Sequence, residues 1–366
     1  MKTASVQEKR VLKLKSMLDV QGLGGVVVVP GPNMKYFTGV DSLMLERPFM
    51  LFVPVEGDAH LVAPTLESGP YREARLHMKV HAWTDSEGPG EAISDAAKGA
   101  AVEGNWGVEG RLPFLYLDGL MKKAALKPRD AESVLQSLRE SKDEAEIRFL
   151  KKSGEILSKA FERFPQLIRE GSTETEVART AMDIIYEEGA TKVDDMLVQF
   201  GESAADPHHL PTGSKLARGD SVVVDVGATY QGYYADITRT FVLGTSPETE
   251  KVYGRVLEAE EAGIRAAGPG VRVGAVDLAA RAVLDRAGMG ENFFHRTGHG
   301  IGLEIHEAPY IVEGGEEKLG PGMCFTVEPG AYFRGKFGVR IEDDVLVGEK
   351  KEAAVTDTPK EFGWWK

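Results

Sequence analysis

The stretch that decides the fold is Val222–Phe241, which reads VVVDVGATYQGYYADITRTF. Both of its ends are rich in β-branched and aromatic residues, and residues 230–232 between them have the composition of a turn, so the stretch is predicted to form a β-hairpin. Each predicted strand carries one carboxylate where a core strand is normally apolar, Asp225 on the first and Asp236 on the second.

The register of this hairpin decides how the two carboxylates meet. A turn centred between Tyr230 and Gln231 places Asp225 directly opposite Asp236, whereas a turn one residue later makes them diagonal neighbours on the same face. Two like charges about 5 Å apart among valines are unfavourable unless a cation lies between them. The hairpin therefore predicts a metal site.

A second predicted hairpin near the C-terminal end repeats the arrangement. Its strands are residues 325–330 and 338–347, and Gly335 between them suits the left-handed position of a three-residue loop. Glu328 and Glu342 lie symmetrically about Gly335, so they are predicted to face each other.

A glycine-rich segment, HRTGHGIGLEIH at residues 295–306, lies between the two hairpins and carries His295, His299 and His306. Together with the four carboxylates, these imidazoles make an oxygen-dominated set large enough for two metal ions. A hard, oxygen-dominated set of ligands is better suited to Mn²⁺ or Co²⁺ than to the zinc of a thiolate-type site.

Composition excludes several classes of function. The net charge of -13 argues against generic binding to nucleic acid or to an anionic membrane. No stretch approaches 18 uninterrupted apolar residues, which argues against a membrane span. Cys324 is the only cysteine, so no internal disulfide is possible and a cytoplasmic location is expected. Its apolar neighbours predict a buried thiol.

The 366 residues suggest about two domains. Residues 1–135 alternate between predicted helices and strands and are expected to form a small α/β domain with a structural or specificity role; residues 31–39 are predicted to be a loop. Residues 136–366 are expected to form the catalytic domain, with a charged linker helix, Ala131–Lys152, at the boundary. Further helices are predicted over Ser153–Glu170 and Thr173–Glu188, where Thr173 and Glu176 have capping-box spacing.

From these motifs the chain resembles the prolidase / aminopeptidase P / methionine aminopeptidase family. The matching segments, besides Val222–Phe241, are ADPHHL, HRTGHGIGLEIHE, FTVEPG and GVRIEDDVLV, with RESKDEAEIRFLKKSG and GPNMKYFTGV typical of its two-domain members. The resemblance implies an α+β protein with a C-terminal pita-bread metallopeptidase domain and an N-terminal creatinase-like α/β domain. Methionine aminopeptidases usually lack that N-terminal domain, and creatinase lacks the metal-binding acids present here.

The resemblance also implies a role for each metal-binding residue. Asp236 and Glu342 are expected to bridge two divalent ions, Mn²⁺ first, with Co²⁺ or Zn²⁺ possible. Asp225 is expected to complete the coordination of one ion, and His299 with Glu328 that of the other. Glu328 is expected to double as a proton shuttle.

A second group is expected to act on the substrate. His208 and His306 match histidines that contact the substrate carbonyl or the tetrahedral intermediate, with His209 as an alternative to His208. His295 is expected to be a substrate-pocket residue. Arg340 shares a strand face with Glu342, so it could either hold the ligand carboxylates or bind a substrate carboxylate.

Four neighbouring residues are given structural or mixed roles by the sequence. Asp343 and Asp344 are expected to be solvated charges. Tyr332 and Phe294 could line a proline pocket or belong to the core.

The implied activity is hydrolysis of the bond before proline, most simply in Xaa-Pro dipeptides, by a homodimeric cytoplasmic enzyme that acts on small peptides. The imide bond before proline has no N–H and an unusual cis/trans balance, so a dedicated enzyme for this bond is chemically sensible. The alternative within the family is an aminopeptidase P acting on longer peptides with proline second. A different class, a non-catalytic binding protein with the same fold, and an organophosphate side activity remain open from the sequence.

Overall fold

The computed structural model describes residues 4–350 and 352–366, and within them it contains ten α-helices and sixteen β-strands in two compact units. The first unit extends to Arg139 and the second begins at Glu140. Among the described residues, no helix has the length and apolar character needed to cross a membrane.

The first unit is built on one six-stranded mixed sheet with the order β4-β3-β2-β1-β5-β6. Its elements are α1 (Val6–Val20), β1 (Gly25–Val28), α2 (Pro32–Thr38), β2 (Met50–Pro54), β3 (Ala59–Pro64), α3 (Gly69–Arg72), β4 (Met78–Trp83), α4 (Gly90–Gly99), β5 (Glu103–Val108), α5 (Phe114–Met121), β6 (Ala125–Asp130) and α6 (Glu132–Glu140). The strands β1, β2 and β3 are buried throughout and, apart from His60, apolar in sequence, as central strands covered on both faces are.

The predicted loop at residues 31–39 is wrong, because the structure places α2 there. Pro32 is the first helical residue, where its fixed φ favours a helix and its missing N–H has no consequence. Gly39 ends the helix in the left-handed conformation, with φ 76°. The glycine and proline that suggest a loop are therefore the two boundaries of a short helix.

The second unit repeats the order of two helices followed by strands, as predicted. Its elements are α7 (Glu144–Arg163), α8 (Glu174–Glu187), β7 (Lys192–Phe200), β8 (Ser221–Tyr230), β9 (Tyr233–Val242), α9 (Pro247–Ala266), α10 (Val273–Arg286), β10 (Gly298–Gly300), β11 (Glu307–Ile311), β12 (Cys324–Val327), β13 (Gly330–Phe333), β14 (Phe337–Arg340), β15 (Asp343–Val347) and β16 (Glu352–Ala354). The strands form three sheets, β7-β8-β9, β11-β10-β12-β15-β16 and β13-β14.

The predicted linker helix Ala131–Lys152 is two helices, α6 and α7. Asp143 separates them because its side chain caps α7, accepting hydrogen bonds from the backbone N–H groups of Ala145 and Glu146. Ser153, predicted to begin another helix, lies inside α7, where its hydroxyl donates to the carbonyl oxygen of Tyr233 at 2.7 Å. The capping box predicted for Thr173 and Glu176 at the start of α8 is confirmed.

The first acidic hairpin adopts the later of the two registers. Gln231 and Gly232 form its two-residue turn with positive φ values of 55° and 81°, as a type I′ turn requires. Asp225 consequently pairs with Thr238, and Asp236 pairs with Gly227. The two aspartates are diagonal neighbours on one face of the sheet.

The second acidic hairpin has the predicted three-residue loop, with Gly335 at φ 72°. Its ladder ends at the Gly330–Arg340 pair, so Glu328 and Glu342 lie just beyond the paired residues rather than opposite each other within it. The backbone N–H of Glu342 instead donates to the carbonyl oxygen of Thr238 at 3.1 Å. That bond joins the two acidic hairpins.

Candidate metal centre

All nine side chains predicted for the site line one cavity of about 780 Å³ within the second unit. They are His208, Asp225, Asp236, His295, His299, His306, Glu328, Arg340 and Glu342. The tertiary structure therefore brings together residues from loops and strands that are far apart in the sequence.

Three of these residues lie close enough together to share one cation. One donor atom from each of Asp236, His299 and Glu342 lies within 4.8 Å of the other two, and all three side chains are buried. Asp236 is on β9, His299 is on β10, and Glu342 follows β14. Two carboxylates and one imidazole at this spacing can hold a divalent cation.

The acids of the cavity repel one another in a poorly solvated environment. Burial raises the pKa of Asp236 well above its ordinary value, and the charges of Asp225, Asp344 and Glu328 raise it further. Burial and the charges of Asp236, Glu328 and Asp225 likewise raise the pKa of Glu342. Burial raises the pKa of Glu328 to about 7. A cation between these carboxylates would offset the repulsion, so the donor set fits a divalent metal.

His299 is held as a neutral ligand would be. Its Nδ1 lies 3.1 Å from the carbonyl oxygen of Gly300, which assigns the proton to Nδ1 and leaves the Nε2 lone pair free. That Nε2 is 3.3 Å from Oε1 of Glu328. Burial, and then the neighbouring His306, lower the pKa of His299 to about 3, so the ring is neutral near pH 7.

The adjacent residues His208 and His209, in the loop between β7 and β8, take different positions. His208 lines the cavity, whereas Nε2 of His209 lies 3.2 Å from Oε2 of Glu174, away from the cavity. His306 stands edge-on to His299, with ring centroids 4.1 Å apart. His208 and His306 are therefore the two cavity histidines that could reach a substrate oxygen next to His299.

The guanidinium of Arg340 binds other residues of the site. Its guanidinium forms an ion pair with Asp225, donates from Nε to Oγ1 of Thr238 at 3.2 Å, and donates from Nη1 to Oη of Tyr332 at 2.9 Å. Thr238 in turn donates to Oε2 of Glu342 at 2.6 Å. Of the two roles that the sequence leaves open for Arg340, these contacts favour holding the ligand carboxylates.

The same network orients His295. Its Nδ1 is 2.7 Å from the carbonyl oxygen of Arg296, so Nδ1 carries the proton and Nε2 accepts from Oη of Tyr332 at 2.9 Å. Burial and the charge of Arg340 lower the pKa of His295 to about 3, which keeps the ring neutral. Tyr332, ambiguous in the sequence, links Arg340 to His295.

The prediction that Asp343 and Asp344 are solvated is wrong, because both side chains are buried. Oδ2 of Asp344 accepts the backbone N–H of Asp236 at 2.9 Å. Asp343 accepts from Nη2 of Arg239 at 2.7 Å, and Arg239 also donates to the carbonyl oxygen of Glu342 at 2.6 Å. One signal was available: the two acids occur in a run of strand-forming residues, where solvated charges are unusual.

Cys324 is buried, and burial raises the pKa of its thiol, as the sequence predicts for a core cysteine. The side chain therefore behaves as a small apolar group rather than as a nucleophile.

Comparison with known proteins identifies relatives along nearly the whole chain. Residues 10–141 match the creatinase/prolidase N-terminal domain, and residues 148–349 match metallopeptidase family M24. The chain is 38% identical over 365 residues to a probable dipeptidase PepE of Mycobacterium bovis, covering 98% of this chain and 96% of the relative. It is 33% identical to a Xaa-Pro dipeptidase of Pyrococcus horikoshii, with 98% and 99% covered. A crystal structure of prolidase from Thermococcus sibiricus matches with a TM-score of 0.92 and 38% identity, covering 98% of this chain and 99% of that one.

Proposed function

The chain belongs to metallopeptidase family M24, and from that premise we propose that it hydrolyses the Xaa-Pro bond of dipeptides with two divalent metal ions. Membership confirms the family, the metallopeptidase activity and the fold class predicted from the sequence, a creatinase-like α/β domain followed by a pita-bread domain. The observation that carries the finer proposal is the convergence of all nine predicted residues on one cavity, together with the Xaa-Pro dipeptidase and prolidase among the relatives.

We propose that Asp225, Asp236, His299, Glu328 and Glu342 hold the two ions, with Mn²⁺ as the first choice and Co²⁺ or Zn²⁺ as alternatives. The crowding of buried carboxylates, with their raised pKa values, supports a bound positive charge. When bound, the ions would activate a water molecule and polarise the scissile carbonyl.

The remaining chemistry falls to residues of the chain. Glu328 faces the cavity, where its carboxylate can take a proton from the attacking water and deliver it to the imide nitrogen. That delivery is needed because a deprotonated amine is a poor leaving group, so the proline nitrogen has to gain a proton as the bond breaks. His208 and His306 can donate hydrogen bonds to the substrate oxygen as negative charge develops on it.

The walls of the cavity suit a proline ring. Phe294, Leu210, Leu197 and Ile305 supply apolar surface beside the polar residues. A pyrrolidine ring can pack against this surface with no N–H left unpaired. This supports a substrate with proline next to the scissile carbonyl.

Arg296 supports a dipeptide rather than a longer peptide. Arg296 lines the cavity, its guanidinium stacks over the ring of Tyr310 at 4.7 Å, and among the described residues it forms no ion pair with an acid. Arg340, by contrast, is occupied by Asp225. A dipeptide places its carboxylate one residue from the scissile bond, where Arg296 can bind it.

Replacing Arg296 by methionine is therefore expected to raise KM for Ala-Pro by about 10- to 100-fold, as for a lost charge-assisted hydrogen bond. Cleavage of Ala-Pro-amide, which has no carboxylate, should change little. Steady-state kinetics with both substrates measures this, and Arg286→Met, at an exposed arginine, is the matched control. Equal losses on the two substrates would exclude the assigned role of Arg296.

The test of the function is cleavage of Ala-Pro and of Ala-Pro-Ala, with Mn²⁺ and with a chelator. Metal-dependent cleavage of the dipeptide alone is the expected result. Cleavage of the longer peptide instead would identify an aminopeptidase P, and no cleavage of either by metal-loaded protein would rule out the proline specificity.

We also propose, on family likeness and composition, a homodimer in the cytoplasm. Residues 1–135 are assigned a structural or specificity role, and residues 136–366 the catalytic role. Sedimentation of the purified protein measures the oligomeric state directly.

A further inference from the structure

The loop at residues 206–212 carries His208 and Leu210 into the cavity without the support of a helix or strand. Leu210 is 70% exposed, and His208 is also exposed. An imidazole that must meet a developing charge has to be held within about half an ångström of its position, so such a loop needs an anchor.

Glu174, the first residue of α8, lies beneath this loop with a fully buried side chain. Its Oε2 accepts from the backbone N–H of Thr212 at 2.9 Å, from the hydroxyl of Thr212 at 2.7 Å and from Nε2 of His209 at 3.2 Å. Its Oε1 accepts from the backbone N–H of Phe200 at 2.9 Å and from the hydroxyl of Ser203. Five donors thus converge on one carboxylate, three of them from the loop itself.

The charge on this carboxylate is maintained by those donors. Burial raises the pKa of Glu174, but the hydrogen bonds from Ser203 and Thr212 outweigh burial, and the net shift is downward. The position at the start of a helix favours the anion as well. Glu174 therefore accepts all five bonds as a carboxylate at neutral pH.

A second buried side chain, that of Gln199, also binds the loop. Nε2 of Gln199, on β7, donates to the carbonyl oxygens of Pro207 at 3.2 Å and of His209 at 3.1 Å. These two carbonyl groups flank His208 in the chain. The hydrogen bonds from Gln199, together with those to Glu174, hold the backbone on both sides of His208.

We propose that Glu174 is a positioning residue that holds the loop at residues 206–212 so that His208 meets the substrate. The inference rests on the proposed role of His208. Glu174 does not line the cavity, so it acts through the loop and not on the substrate. No metal ligand lies on this loop, so the metal centre does not depend on it.

The experiment is a double-mutant cycle with Glu174→Gln, His208→Ala and the double variant, using Ala-Pro and Mn²⁺. Glutamine keeps the size of the side chain but replaces one acceptor oxygen by a donor. Glu174→Gln is expected to lower kcat by about 10- to 100-fold, as displacement of a catalytic group does, with bound metal unchanged. In the His208→Ala background the same change should lower kcat by less than about threefold, because the effects of coupled residues are not additive.

An equal fold-loss of kcat in both backgrounds, or full activity of Glu174→Gln, would overturn the proposal. Asp183→Asn is the matched control, since Asp183 is an exposed acid on the same helix, and it should keep full activity. Should Glu174→Gln fail to fold, Thr212→Val removes one loop donor, and Thr212→Ser should restore activity because it keeps the hydroxyl.

Hydrogen exchange of the loop amides separates failure of this inference from failure of the proposed function. Glu174→Gln is expected to speed exchange at residues 206–212 by tenfold or more, while exchange in β8 and β9 stays unchanged. This measurement needs no substrate. Unchanged exchange in the loop would refute the anchoring role even if Ala-Pro proves not to be a substrate.

Discussion

Asp236→Asn is expected to lower metal-dependent peptidase activity by at least about 1000-fold and to reduce the bound divalent metal. Asp236 belongs to the group of three donors that lie within 4.8 Å of one another, and with Glu342 it is one of the two residues expected to bridge both ions. The exchange keeps the size of the side chain but removes one negative charge from the site. Loss of a metal-activated water and of carbonyl polarisation together accounts for an effect of several kcal/mol.

The measurement combines metal analysis of the purified variant with kcat/KM for Ala-Pro at saturating Mn²⁺. Glu349→Gln, at an exposed acid of the same unit, is the control and should keep wild-type metal content and rate. The same Asp236 variant is expected to be more stable than wild type when both are metal-free, because one of the repelling charges is gone. A variant with wild-type activity would be incompatible with the assigned metal centre.

The second large effect is the stability of the metal-free protein, which should fall as pH rises from about 6.5 to 8. Burial and mutual repulsion raise the folded-state pKa values of Asp236 and Glu342 well above their ordinary values, and that of Glu328 to about 7. In this pH range the unfolded chain has lost these protons, while the folded protein still holds part of them. The folded state binds more protons, so stability decreases with pH, by up to about 1.4 kcal/mol per pH unit for each acid still protonated.

The lower limit of that window comes from the histidines. His295 and His299 have folded-state pKa values lowered to about 3, so below about pH 6.5 these two side chains bind more protons in the unfolded chain than in the folded protein. Their contribution makes stability rise with pH there and opposes that of the acids. The contribution of the histidines fades as pH rises through about 6.5, the ordinary pKa of an unfolded-state histidine, and that of the acids then dominates.

Calorimetry of chelator-treated protein at pH 6.5, 7.25 and 8, with and without added Mn²⁺, measures both effects. The increase in Tm caused by Mn²⁺ should grow with pH, because binding displaces the protons from the ligands. Glu328→Gln should reduce the pH slope of the metal-free protein. A metal-free Tm that rises across this interval would contradict the repulsion among the buried acids.

Local features of this chain were readable from the sequence because they depend on residues a few positions apart. The presence of a hairpin turn within residues 230–232, though not its register, the left-handed Gly335 and the capping box of Thr173 with Glu176 belong to this class. So do the acid-bearing strands and the histidine segment, which together identify the candidate ligands and the family.

Predictions from the sequence are wrong where two local interpretations compete. A glycine followed by proline suits a loop as well as the start of a helix, so residues 31–39 predict a loop where the structure has α2. A run of charged helix formers gives no sign that Asp143 will leave the helix to cap the next one.

The sequence by itself determined the acidic hairpins and the histidine segment, since each is specified by residue type and short-range spacing, and the nine predicted site residues followed from these motifs and the family resemblance that they carry. Only the tertiary structure decided which partner each polar side chain takes. Asp344 meets the backbone of Asp236 across 108 positions, and Glu174 meets Thr212 across 38. Whether a carboxylate is solvated, pairs with Arg340 or anchors a loop depends on what the fold buries beside it, and burial is a property of the packed chain rather than of any segment.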